Sequence, residues 1–284
     1  MPTCISCGRE LPSPGEPHNL CPECRSAILQ QRASEPAPQR PRKIALGRVP
    51  LTTTLISVNF VVFAAMTLSG LSPWGPGEGD LVRWGANNGI QTLLGQPWRM
   101  LTSNYVHIGI IHIALNMWCL WNLGLLAEQI FDRWTYFLIY TFCGVAGSLV
   151  SITLHSTRVS AGASAAVFGL AGALISALYL GHLPIHPSAL KATLKSLLSF
   201  AGYNLFFGTV VPAIDNSAHI GGLVTGLALG ALLARHLTSP RDERRRWNRA
   251  IFLIASGAFL GAFYLARHYA PDLFLRQIHA PIAH

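Results

Sequence analysis

From Pro50 onward the chain is built of apolar stretches long enough to cross a bilayer, and this limits its fold more than any other feature. A helix needs about 20 apolar residues to span the roughly 30 Å hydrocarbon layer. Seven segments approach that length: 51–71, 105–127, 134–154, 162–181, 194–212, 218–236 and 250–268. Lys195 and Asn204 interrupt the fifth. Inside lipid a backbone must satisfy its own hydrogen bonds, so such segments become helices. The expected fold class is an all-α membrane protein. Composition agrees, with 51% hydrophobic and only 12% charged residues, where soluble domains carry about a quarter charged.

The formal net charge of +9 would suggest nucleic acid in a soluble chain. Here the basic residues fall in alternate loops. Arg32, Arg40, Arg42, Lys43 and Arg48 precede the first span, and Arg133 lies between the second and third. Lys191 and Lys195 lie between the fourth and fifth, and Arg235, Arg241, Arg244, Arg245, Arg246 and Arg249 between the sixth and seventh. The positive-inside rule puts all of these on the cytoplasmic side. The N-terminus is then cytoplasmic, the C-terminus is outside, and no nucleic-acid partner is expected. The polar, cysteine-rich start offers no apolar core of a signal peptide, so insertion into the cell membrane is expected to use the internal spans.

Polar groups within spans are costly and are functional candidates by default. The second span is expected to hold His107, His112 and Asn116, the last two four apart on one helical face. The fourth opens with Gly162-Ala163-Ser164-Ala165, and the sixth holds His219 near its start. All three spans run inward from the outer face, so these residues meet at one depth. The set suits acyl transfer. A serine hydroxyl needs a base to activate it, and neutral imidazole is one. The Ser164 backbone N–H, the Asn116 amide and a ring N–H of His112 can face an oxyanion. Asp215 reads as a solvated turn residue, so no carboxylate completes a triad. Gly222, Gly226 and Gly230 recur every four residues, a spacing that lets membrane helices approach closely.

Gly162-Ala163-Ser164-Ala165 resembles the active-site motif of the rhomboid family. Ala218-His219-Ile220-Gly221-Gly222-Leu223-Val224-Thr225-Gly226 is similar to that family's histidine helix, and His112-Ile113-Ala114-Leu115-Asn116 to its oxyanion pair. His107, Trp98-Arg99 and Glu128 stand where the family often carries a further histidine, a Trp-Arg pair and a structural glutamate. The similarity covers about residues 50–236. It implies a six-helix protease core with a seventh helix added. It further implies a Ser164–His219 dyad that cleaves transmembrane protein substrates near the outer face, without metal or nucleotide. His112, Asn116, Gly162 and His107 then support the oxyanion, while Trp98, Arg99, Glu128, Phe168, Gly222 and Gly226 are structural. Two departures are Ala165, where glycine is commonest, and Phe168, where a tyrosine often packs on the histidine. The alternative is a non-catalytic, rhomboid-like protein that binds clients.

Ahead of the spans, Cys4-x2-Cys7 and Cys21-x2-Cys24 resemble a zinc ribbon. Four thiolates suit a closed tetrahedral Zn2+ site that supplies the folding energy of so small a segment. Two disulfides are the other reading, disfavoured in the cytoplasm. His18 reads as a loop residue. The expected organisation is a zinc module (1–26), a basic flexible linker suited to anionic lipid headgroups (27–50), the protease core (51–236), and a basic loop, seventh span and tail (237–284). Cys119 and Cys143 read as small buried hydrophobes.

Overall fold

The computed structural model describes residues 3–10, 20–34, 49–211 and 214–269. The expected linker, His18 and the C-terminal tail lie outside these residues in whole or large part. The chain divides into two units, Met1–Arg48 and Val49–His284.

In the first unit a bridge between Thr3 and Glu10 closes a knuckle around Cys4 and Cys7. Gly8, at φ 75°, makes the turn that returns its N–H to the Cys4 carbonyl (2.8 Å). Helix α1 (Pro22–Ser34) starts between the second pair of cysteines.

Among its described residues the second unit holds seven long helices: α2 (Pro50–Leu68), α6 (Ile110–Ile130), α7 (Arg133–Leu154), α8 (Ser164–Leu180), α9 (Pro187–Val210), α10 (Asn216–Ala234) and α11 (Arg241–His268). Between α2 and α6 lie the short helices α3 (Glu78–Arg83), α4 (Gly89–Leu94) and α5 (Arg99–Thr102). Strands β1 (Asn87–Asn88) and β2 (Val159–Ser160) pair antiparallel. Helices α2, α6, α7, α10 and α11 are apolar and long enough to cross a membrane. Helix α8 is apolar but has only 17 residues, about 25 Å at 1.5 Å per residue. Helix α9 carries Lys191 and Lys195 in its early turns, which dilutes its apolar character. The protein is a multi-pass, all-α membrane protein.

Several boundaries differ from expectation. The second span begins at Ile110, so His107 lies in the loop before it. Helix α9 begins at Pro187 rather than near 194, because His186 caps it and proline fits the first turn. The arginine run expected as a loop after the sixth span forms the first turns of α11. At 28 residues, about 42 Å, this helix exceeds the hydrocarbon thickness, so its charged start projects beyond it.

Helix α8 sits at the centre and is buried on nearly every side, with Ala166, Leu170, Ala171, Ala173, Leu174 and Ala177 fully enclosed. It packs most closely against α10. A Cβ at Gly222 would fall on the Ala165 carbonyl, one at Gly226 on the Gly169 carbonyl, and one at Gly230 would lie 2.5 Å from the Ala173 carbonyl. Glycine at every fourth position therefore lets the two backbones touch. Helix α2 has no side-chain cap of its own. Its Thr52 N–H and hydroxyl instead donate to Glu128 Oε1 of α6, at 2.7 and 2.9 Å. A helix's first N–H groups need such partners.

The long connection before α6 is built, not open. Arg99 is buried; its Nη1 donates to the Val82 and Ala86 carbonyls (2.5 and 3.1 Å) and its Nε to Gln96 (2.7 Å). The guanidinium lies 4.7 Å from the ring of the half-exposed Trp98. Asn87 ties β1 to α7 through the Ser148 carbonyl (3.0 Å).

Candidate active site

Three helix starts converge on one cavity of about 380 Å3, lined by Ser164, His219, His112, Asn116, Gly162 and Phe168 among others. Ser164 is the first residue of α8, so its position follows from the helix boundary set by Gly162 and Ala163. Gly162 has φ 129°, a conformation closed to most side chains, and its N–H donates to the Ser103 carbonyl (2.9 Å). His219 lies in the first turn of α10 and is buried, with 7% exposure. Its Nε2 is 2.8 Å from Ser164 Oγ. With Nε2 accepting the serine proton, Nδ1 carries the ring hydrogen, and it is buried with no hydrogen-bond partner among the described residues.

Phe168, one turn below Ser164, stacks on the His219 ring at 4.4 Å between centroids and 16° between planes. Phe200 of α9 packs on Phe168 at 5.5 Å. Phe168 holds the imidazole by ring contact, without the hydroxyl a tyrosine would add.

His112 and Asn116 stand one turn apart on α6. The Ile108 N–H approaches His112 Nδ1 at 3.5 Å, a long contact that assigns the ring proton to Nε2. The ring lies over Gly162, where an added Cβ would come within 2.5 Å of Cε1 and 2.9 Å of Nε2. Asn116 donates one amide hydrogen to the His112 carbonyl (2.9 Å) and retains a second. His107 is wholly buried in the preceding loop. Its Nδ1 is 3.2 Å from the Tyr105 carbonyl, and its ring is 5.4 Å from that of His112. It supports His112 from behind rather than lining the cavity. Trp98, Arg99 and Glu128 do not line it either; they fix the connection before α6 and the α2–α6 pair. Gly222 and Gly226 set the α8–α10 approach that brings Ser164 to His219.

Asp215 differs from the expected solvated turn residue. Its Oδ1 caps α10 by accepting the Ala218 N–H (3.1 Å), and Oδ2 accepts the Ser151 hydroxyl of α7 (2.5 Å). Burial works to raise its pKa, but hydrogen bonds from Ser151, Ser160 and Ala218, with the Arg158 charge, hold it below the ordinary carboxylate value. The i−4 spacing from His219 was a signal for it. The buried hydroxyl pair Ser103–Ser148 (3.3 Å), also on the cavity, had none, because the two lie 45 residues apart.

The geometry has a counterpart in known proteins. The Rhomboid domain family model matches residues 94–236, half of the chain. The chain belongs to the rhomboid family. It is 34% identical over 222 residues to rhomboid protease GluP of Bacillus subtilis, covering 78% of this chain and 41% of that protein. It is 38% identical over 172 residues to the mitochondrial RHOMBOID-like protein 6 of Arabidopsis thaliana, covering 60% of this chain and 55% of that one. To Rhomboid-like protease 2 of Toxoplasma gondii it is 30% identical over 194 residues, covering 65% and 67%. The chain thus spans about half the length of the first two. Rhomboids are generally intramembrane serine proteases.

In the N-terminal unit, one ligand atom from each of Cys4, Cys7, Cys21 and Cys24 lies within 4.8 Å of the others, so the four can hold a metal ion. Cys7 and Cys21 Sγ are 3.8 Å apart, and all four thiols are free. A tetrahedron with metal–sulfur bonds of about 2.3 Å has edges of about 3.8 Å, so the spacing fits zinc and is too long for a disulfide of about 2.05 Å. The Cys21 backbone N–H donates to Cys4 Sγ (3.3 Å). That bond, with backbone N–H groups of Cys7 and Ser6, holds the Cys4 thiol well below its ordinary pKa.

Proposed function

We propose that this rhomboid is an intramembrane serine endopeptidase that cuts transmembrane protein substrates near the outer face through Ser164 and His219. The observation that carries the reading is the 2.8 Å Oγ–Nε2 hydrogen bond inside an open cavity. His219 Nε2 takes the proton as Ser164 Oγ bonds to the scissile carbonyl carbon, and the same proton then passes to the leaving amine. Water repeats the step on the acyl-enzyme. The carbonyl oxygen gains charge where α8 begins, a helix end whose first N–H groups are free and whose dipole favours an anion. The Ser164 N–H, the spare Asn116 hydrogen and His112 Nε2–H are its donors. The role of Gly162 is to give His112 room over that point.

The basic loops support a cytoplasmic N-terminus, placing the cavity on the outer side. In the N-terminal unit the four cysteines hold zinc as a structural ion, and catalysis uses no metal. The basic linker meets anionic lipid headgroups; no nucleic acid is bound. A fluorophosphonate probe tests the nucleophile. The expected result is a single adduct on Ser164 in the wild type, lost in His219→Ala protein that remains folded. A folded wild type that is never labelled would favour the client-binding alternative.

A further inference from the structure

One turn ahead of His219 stands a carboxylate that is anchored on two sides. Asp215 is tied to its own helix through the Ala218 N–H and to α7 through Ser151. Arg158 adds its charge to the cluster and donates to the adjacent Ile214 carbonyl (3.1 Å). Asp215 lines the same cavity as the dyad. Among the described residues no carboxylate bonds to His219 Nδ1, so the imidazolium formed during attack has no directly bonded partner of the kind a triad provides there. The charged and titratable groups acting on His219 are Asp215 and, from α6, His112. Helix α7 offers the neutral Ser151 to Asp215, and α8 offers the Ser164 hydroxyl and the stacked Phe168 ring to His219.

We infer that Asp215 is a positioning residue of the dyad: its carboxylate locks the first turn of α10 against α7 and supplies through-space negative charge to the His219 imidazolium. This rests on the reading of Ser164 and His219 as the dyad. As Ser164 Oγ bonds to the acyl carbon, its proton moves to Nε2 and the carbonyl pair moves to oxygen. The ring becomes +1 beside a fixed −1. A close opposite charge stabilises the charged form by on the order of one pKa unit or more, which corresponds to about tenfold in rate.

The test is the rate of Ser164 modification by a fluorophosphonate, measured from pH 2.5 to 9 on the full chain in detergent. Asn is as good a helix cap as Asp: its Oδ1 accepts the Ala218 N–H while its Nδ2–H donates to the Ser151 hydroxyl, so Asp215→Asn removes the charge and keeps both contacts. The expected result is a plateau rate about tenfold lower and an acid limb moved down by about one pH unit, since a less basic imidazole stays neutral to lower pH. Asp215→Glu keeps the charge, so its limb should stay at the wild-type position; it serves as the readout if the Asn protein does not fold. An Asn variant matching the wild type in rate and limb, or a Glu variant with a displaced limb, would overturn the inference and leave Asp215 a helix cap. A folded wild type that does not react at all would instead remove the dyad reading beneath it.

Discussion

Gly147 of α7 touches neither Ser164 nor His219, yet it governs the distance between them. A Cβ there would lie 2.6 Å from the Ala218 carbonyl oxygen and 2.8 Å from the Ala165 Cβ, residues adjacent in sequence to His219 and Ser164. Carbon contacts begin near about 3.5 Å, so Gly147→Ala must displace α7, α8 or α10 by roughly 0.7 Å. Overpacking costs about 1–3 kcal/mol, and replacing glycine by alanine within a helix returns up to about 1 kcal/mol. The net loss of stability is therefore small, about 0–2 kcal/mol. Activity should suffer far more. A displacement of this size takes the 2.8 Å Oγ–Nε2 bond towards its limit, and misplacements near 1 Å cost on the order of 100-fold. Gly257→Ala is the control, because no atom of the described residues lies within 4 Å of its added Cβ. Cleavage rate and melting temperature in detergent are measured together. Gly147→Ala protein that cleaves within threefold of the wild type would refute the claim that close helix approach sets the dyad.

Glu128→Ala removes two hydrogen bonds to a fully buried Thr52 and should cost about 2–4 kcal/mol in denaturant unfolding, whereas Glu128→Gln should retain most of it. Asp215 has a folded pKa below its unfolded value, so its contribution to stability is present above the unfolded value and is lost as pH falls through the folded one. The melting-temperature gap between wild type and Asp215→Ala should therefore be full at pH 6 and close on acidification below about pH 4. Metal analysis should find about one zinc per chain, lost on replacing Cys4 and Cys21 with serine and released by acid, because the ligands must be thiolates.

The spans were legible because lipid imposes both a length and an apolar composition, and five of the long helices meet both. Ser164, His112, Asn116 and His219 stood out because polar groups are rare in such segments, and spans of common direction put them at one depth. Helix ends were less legible. His186 and Asp215 set where α9 and α10 begin through caps that hydropathy does not register, and the arginines of α11 read as a loop although a helix extending past the hydrocarbon carries them. Asp215 was misread because its partner Ser151 comes from another helix, 64 residues away in the chain. Gly147 offered no motif, since its neighbours Ala165 and Ala218 lie on two other helices.

The central claim is tested most directly by cleavage of a single-span substrate in liposomes, comparing wild type with Ser164→Ala and His219→Ala. The account predicts cleavage by the wild type alone, at a site near the outer end of the substrate helix. Equal cleavage by wild type and Ser164→Ala would contradict it, because another group would then be the nucleophile.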